Sequence, residues 1–236
     1  MFDLQHIIVY LFLISGAALS FYKNKLTLSA ALVAILVGFF VYCGGGLTAL
    51  AMLVAFFISG TWATRHQWTK KEQLKLTEKR SGARNAMQVV ANGGVAAALA
   101  AMMMFDASHN PVYLLMIAAS LSSATADTLS SELGNVYGKR YFNVTSFAKD
   151  DRGRDGVVSI EGTLAGIAGS LIIGLVYAAG LGFSANVLMI IIAGMAGNLF
   201  DSLLGATLQR KGYISNDIVN LLNTMFAALI TFIIAF

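Results

Sequence analysis

"LTLSAALVAILVGFFVYCGGGLTALAMLVAFFISGTWATR", Leu26 to Arg65, carries no charged residue before its final arginine. A helix that crosses a bilayer needs roughly 20 apolar residues, so this stretch is about two spans long. It is interrupted at Cys43-Gly44-Gly45-Gly46. Glycines there either kink one long helix or turn the chain back, and the length favours two spans. The same criterion, applied outward, gives eight spans at about 6–22, 26–43, 46–64, 85–105, 111–130, 160–180, 185–206 and 217–236. Composition agrees: 57% of the 236 residues are hydrophobic and 12% are charged, against about 25% charged in soluble domains. Mean hydropathy is +0.72. We therefore expect an all-α polytopic membrane protein, with one transmembrane domain over 1–236 and a single bundle of about eight helices. The opening stretch "MFDLQHIIVYLFLISGAAL" lacks a basic n-region and reads as the first span, not a cleaved signal.

Charge fixes the expected topology. All sixteen Lys and Arg residues fall on alternate connections: between spans one and two, three and four, five and six, and seven and eight. Membrane proteins keep these residues on the cytoplasmic side, so both termini are expected on the non-cytoplasmic side. The net charge of +4 is then a matter of orientation, and no nucleic-acid partner is expected. A lone cysteine, Cys43, excludes an internal disulfide and a CxxC metal site.

With that topology, the polar residues of five spans converge on one leaflet. Asp127 and Glu132 end span five, and Asp201 lies near the inner end of span seven. Arg84, Asn85, Gln88 and Asn92 open span four, Ser159 and Glu161 open span six, and Asn216, Asn220 and Asn223 open span eight. Arg84, Gln88 and Asn92 are spaced to share a helix face, as are Asn198, Asp201 and Gly205. Asp127-Thr128-Leu129 is echoed by Asp201-Ser202-Leu203, suggesting two equivalent acidic corners of one site. Asp127 and Glu132, five residues apart, lie about 140° apart around an ideal helix. They converge only if the helix unwinds near Ser130; otherwise Glu132 acts from behind. Residues 1–64 carry little polar density and are expected to form peripheral helices, leaving the active site to 65–236. Gly162, Gly166, Gly169 and Gly174 suit close helix packing.

Intramembrane acids are functional by default. Oxygen-rich acidic sites suit Mg²⁺, which takes one or two carboxylates plus substrate phosphates. The neighbouring loops "EKRSGARN" (Glu78 to Asn85) and "KDDRGRDG" (Lys149 to Gly156) offer arginines and glycines to phosphate groups. Metal, phosphate ligands and a membrane-facing site point to phosphoryl or nucleotidyl transfer to a lipid. No Walker A loop is present.

"RSGARNAMQVVANGG" (Arg80 to Gly94), "ATADTLSSELG" (Ala124 to Gly134), "DGVVSIEGT" (Asp155 to Thr163) and "GNLFDSLLGATLQ" (Gly197 to Gln209) resemble, in order and over nearly the whole chain, a membrane family catalogued as domain of unknown function 92. It includes plant phytyl-phosphate kinase of the vitamin E pathway and animal transmembrane protein 19. The resemblance implies a kinase that converts an isoprenyl monophosphate to the diphosphate, with a nucleoside triphosphate, CTP favoured, as donor. The expected roles follow. Asp127, Glu132 and Asp201 hold Mg²⁺, and Arg84 neutralises phosphate. Arg80, Asn85, Gln88, Asn92, Lys149, Arg152, Arg154, Ser159, Glu161 and Asn220 complete the nucleotide and phosphate site. Two alternatives remain: a lipid cytidylyltransferase making a CDP-lipid, and an ion-coupled transporter. The polar residues crowd one leaflet instead of the midplane, which weighs against transport.

Overall fold

A computed structural model describes residues 4–74, 76 and 83–235. The chain forms α1 (Leu4–Tyr22), α2 (Leu28–Arg65), α3 (Trp68–Gln73), α4 (Ala86–Met103), α5 (Asn110–Tyr137), α6 (Ile160–Leu181), α7 (Ala185–Leu204) and α8 (Asn216–Ala235). Among the described residues, all of these but the short α3 are long and apolar enough to cross a membrane, with α7 running on through a π-turn at Gly205–Gln209. The expected all-α polytopic bundle is therefore what forms.

The stretch Leu26–Arg65 is where helix count and span count part. α2 has 38 residues, and a straight helix of that size would be about 57 Å long, nearly twice the hydrocarbon thickness. Instead Gly46 breaks it with φ 68° and ψ −163°, a conformation that a residue with a Cβ rarely adopts. The two ends then meet. The Arg65 guanidinium donates to the carbonyls of Lys23 (3.1 Å) and Asn24 (2.9 Å), just before α2 begins. Phe57 packs against the cluster formed by Ala17, Leu26, Ala30 and Ala31, and the turn leaves Val37 and Leu53 facing Gly93 together. α2 is thus a hairpin of two membrane-crossing arms, and the seven long helices make eight crossings.

α5 runs through the centre, packed against α2, α4, α6, α7 and α8. Its run from Leu115 to Ala126 is fully buried, mostly as Ala, Ser and Thr. Without a hydrophobic driving force between helices in lipid, small residues allow the close contacts that hold a bundle together. The expected glycine packing is present on α6. A Cβ at Gly162 would lie 2.8 Å from the Ser130 carbonyl, and one at Gly169 would lie 2.9 Å from that of Thr125. Residues 1–64 divide in two by packing. α1 buries only Val9, Ala17 and Ser20, whereas both arms of α2 supply the main core through Val41, Ala49, Met52 and Phe56.

The basic connections gather at one end of the bundle. Lys70 Nζ donates to the Val136 carbonyl (2.9 Å), Arg84 pairs through its backbone with Lys25, and Arg210 bonds Asp150 (2.8 Å). At the other end, the His6 ring meets the Tyr42 hydroxyl at 2.8 Å beside the α2 turn. The connection after α5 also forms a short antiparallel ladder, β1 (Phe142–Asn143) with β2 (Val157–Val158), which folds it back over the bundle end.

Candidate active site

A cavity of about 800 Å³ opens at the basic end. It lies where α4, α5, α7 and α8 present their polar ends and the β1–β2 connection closes over them. Each helix brings its residues by a local rule. Asn85 caps α4 in a reciprocal box: its side chain accepts from the Gln88 N–H (2.9 Å), and the Gln88 side chain accepts from the Asn85 N–H (2.9 Å). The next turn then places Asn92 on the same cavity wall, its Nδ2 donating to the Gln88 carbonyl (2.9 Å). Asn92 Oδ1 is buried and has no hydrogen-bond partner among the described residues. Ser159 caps α6, accepting from the Gly162 N–H (3.1 Å), and its hydroxyl lines the cavity.

Asp127 on α5 and Asp201 on α7 face one another across the floor of this cavity, within hydrogen-bonding reach. The echo Asp-Thr-Leu and Asp-Ser-Leu thus supplies two corners of one site. Asn223, fully buried on α8, donates through Nδ2 to Asp201 Oδ2 (2.7 Å), and its Oδ1 accepts from Ser123 Oγ (3.1 Å). That second bond fixes the amide orientation and hence which Asp201 oxygen is left facing Asp127. Two ionised carboxylates this close repel, so a cation between them or a shared proton is needed for both to stay. The Arg84 guanidinium also borders the cavity, lying 5.2 Å over the Phe56 ring. It passes Gly60 and Thr128, and a Cβ on Gly60 would sit 2.5 Å from its Nη2. Asn198, Asn216 and Asn220 complete the polar wall.

The structure does not assemble the expected three-acid cluster. α5 stays helical from Asn110 to Tyr137, so no unwinding near Ser130 turns Glu132 towards Asp127. Glu132 borders the cavity but is bound instead by Lys71 Nζ at 2.6 Å. Among the described residues, no group of three His, Cys, Asp or Glu side chains is placed to hold a metal. Lys71 is the residue sequence reasoning missed, since it read as one topological charge among several. It is 2% exposed, and its ammonium also donates to the Ala63 (2.7 Å) and Thr64 (3.2 Å) carbonyls at the end of α2. All three of its donors are used, so it anchors α3 to α2 and α5. The available signal was the run Trp68-Thr69-Lys70-Lys71, an interfacial aromatic followed within one helical turn by two cations.

Three other expected residues lie off the cavity. Arg152 stacks on Tyr141 (5.0 Å) and donates to the Gly138 carbonyl (3.3 Å). Lys149 takes part in a backbone bridge with Phe142. Glu161 accepts from the Lys139 N–H (3.4 Å). All three serve the connection after α5. Arg154 reaches the cavity edge while paired with Asp150 (3.0 Å) and Asp151 (3.5 Å). Asp150 also holds Arg210, and these partners keep its carboxyl well below the usual range. Arg80 lies outside the described residues. Gly156, at φ +71°, lets the connection pass directly against the Ala206 backbone in the π-turn. Gly156→Ala should therefore cost about 1–3 kcal/mol through left-handed strain and displaced backbone, read as a lowered unfolding temperature in detergent.

The fold and this site define a multi-pass membrane protein with an acidic, amide-lined cavity at its basic end. The chain belongs to the family described as Integral membrane protein DUF92, whose pattern matches residues 11–228. It is 35% identical over 195 residues to an uncharacterized membrane protein of Methanocaldococcus jannaschii, covering 83% of this chain and 79% of that one. Protein VTE6, chloroplastic, of Arabidopsis thaliana is 31% identical over 212 residues, covering 87% of this chain but 64% of the plant protein. An uncharacterized membrane protein of a Synechocystis strain is 33% identical over 196 residues, covering 82% and 76%. No solved structure matches the chain.

Proposed function

We propose that the protein is a Mg²⁺-dependent kinase that phosphorylates an isoprenyl monophosphate to the diphosphate, with a nucleoside triphosphate, CTP favoured, as donor. The observation that carries this reading is the facing pair Asp127 and Asp201, with Arg84 on the same cavity wall at the end of a membrane bundle. The sequence resemblance to phytyl-phosphate kinase supports the substrate class. The cavity volume is in the range of small-molecule sites. The basic connections at this end support a cytoplasmic orientation for the cavity, with both termini on the opposite side.

The donor set suits the metal. Two carboxylates and a buried amide oxygen without a partner, Asn92 Oδ1, are hard oxygen ligands of the kind Mg²⁺ takes beside phosphates. Asp127, Asp201 and Asn92 would hold the ion, which when bound neutralises charge on donor phosphate oxygens. Arg84 supplies the second positive charge, and its stack on Phe56 and path past Gly60 limit where its guanidinium can go. Asn223 and Ser123 hold Asp201 in one rotamer before any ligand arrives. The acceptor is already a phosphate anion, so little general-base work is required. Catalysis is positioning and charge neutralisation. The isoprenyl tail stays in the bilayer beside the bundle.

Gly60→Val tests the arginine separately from the metal. The added side chain displaces the Arg84 guanidinium, the far end of a flexible side chain, so phosphate-bearing ligands should bind about 10–100-fold more weakly, as for loss of a charge-assisted hydrogen bond, and an unchanged unfolding temperature shows that the bundle is intact. Titration calorimetry with a nucleoside triphosphate reads it. The reaction itself is tested by giving purified protein Mg²⁺, each nucleoside triphosphate and a panel of isoprenyl monophosphates, with lipid products weighed by mass spectrometry. A diphosphate product supports the kinase, and a CDP-lipid with pyrophosphate release supports the cytidylyltransferase. Absence of any phosphorylated lipid from every pair overturns both, and nucleotide-independent uptake into liposomes would favour the transporter.

A further inference from the structure

The second arm of α2 has two faces. Thr64 lines the cavity described above, and Gly60 lies against the Arg84 guanidinium. Phe57, Ile58, Thr61, Trp62 and Arg65 face the other way and, with Lys25, His66 and Gln67, line a separate groove of about 530 Å³. Its composition changes along the helix. Phe57 and Ile58 form an apolar lower part, and Trp62, 54% exposed, stands above them. Lys25, Arg65 and His66 close the upper part at the basic end, and among the described residues no carboxylate lines the groove. From Ile58 to Arg65 the rise is about 11 Å, the distance from the phosphate level of a leaflet into its acyl region.

The backbone and one guanidinium of this rim are held by the fold. The Arg65 guanidinium is held by the Lys23 and Asn24 carbonyls, which leaves its charge without an acidic partner among the described residues. Lys25 is anchored by its backbone, whose carbonyl accepts from the Arg84 N–H (3.0 Å). His66 is tied to the Tyr137 hydroxyl (2.6 Å) and its ring lies 5.0 Å from that of Trp62, so the aromatic wall is tied to α5. A rim carrying Lys25 and Arg65 over an apolar slot at a membrane interface matches an anion attached to a hydrocarbon chain.

We infer that this groove binds an anionic phospholipid of the surrounding leaflet, its headgroup phosphate between Lys25 and Arg65 and one acyl chain along Trp62, Ile58 and Phe57. The site is distinct from the catalytic cavity, and the inference stands whether or not the kinase reading holds.

Native mass spectrometry of the delipidated protein, titrated with phosphatidylglycerol or phosphatidylcholine, tests it. The wild type should retain one phosphatidylglycerol at concentrations where phosphatidylcholine does not stay bound. Lys25→Gln should weaken that binding about fivefold, from roughly one cation's worth of attraction to an anionic headgroup. Lys25→Gln with Trp62→Leu, which leaves the Arg65 tether intact, should weaken retention of phosphatidylglycerol further, by loss of acyl-chain contact as well as of one cation. Lys211→Gln, an exposed cation away from the groove, should leave it unchanged. Equal retention of the two lipids by the wild type overturns the inference. So does equal loss in the Lys211→Gln control, or displacement of the lipid by millimolar inorganic phosphate, which would mean that the rim binds an anion without the chain.

Discussion

Under the proposed kinase function, Asp127→Asn should lower metal-dependent turnover by about a thousandfold, since a bound metal would supply several kcal/mol of charge stabilisation and each 1.36 kcal/mol is tenfold in rate. The same substitution should leave the unfolding temperature of the ligand-free protein little changed, because an amide keeps a hydrogen bond to Asp201 without needing a shared proton. These two readouts together separate a ligand role from a packing role. A third sharpens them: Mg²⁺ with nucleotide should raise the unfolding temperature of the wild type and not of Asp127→Asn. Asp201→Asn should behave alike. Asn223→Leu should reproduce a weaker form of the defect by freeing the Asp201 rotamer. Wild-type turnover in Asp127→Asn would remove the carboxylate pair from the mechanism.

Lys71→Met is the second large effect, and it falls on stability. The ammonium is buried, with two carbonyls and Glu132 as partners, and losing it leaves the carboxylate uncompensated at a cost of about 3 kcal/mol. Glu132 is about a quarter exposed, which places the cost at the low end of the range for buried pairs. Adding Glu132→Leu to Lys71→Met should restore part of the stability, because it removes the unpaired charge. Glu132→Gln discriminates between the two accounts of this acid. If it serves as the anchor of α3, the variant loses unfolding temperature and keeps its dependence on Mg²⁺ concentration. If it is a metal ligand, the variant keeps its stability and needs far more Mg²⁺.

That contrast shows where sequence reasoning reached its limit. Asp127 and Glu132 are both acids at the end of one apolar run, and composition treats them alike. Their five-residue spacing did register that they could not share a face of an intact helix. What it could not supply was the partner of the odd one. Lys71 is sixty-one positions away and reaches Glu132 only because α3 folds against the ends of α2 and α5. The same holds for Arg152, Lys149 and Glu161. Their residue types suit phosphate, but the short β1–β2 ladder turns them to the service of its own connection.

The spans and the shared end of the polar residues were legible from the chain alone. Both depend on the cost of placing charge and unpaired backbone in hydrocarbon, which acts on every residue by type and needs no partner. Periodicity also put Arg84, Gln88 and Asn92 on one face, and they share the cavity wall. Whether Cys43-Gly44-Gly45-Gly46 kinked or reversed the chain was open in the sequence, because glycine permits both. The meeting of Arg65 with Lys23 and Asn24 decides it. The tertiary structure alone decided which acids face each other, since a hydrogen bond or ion pair is set within a few ångströms and the residues concerned come from different helices. The sequence determined that the charges gather at one end of the bundle, and the packing of the bundle determined which of them meet.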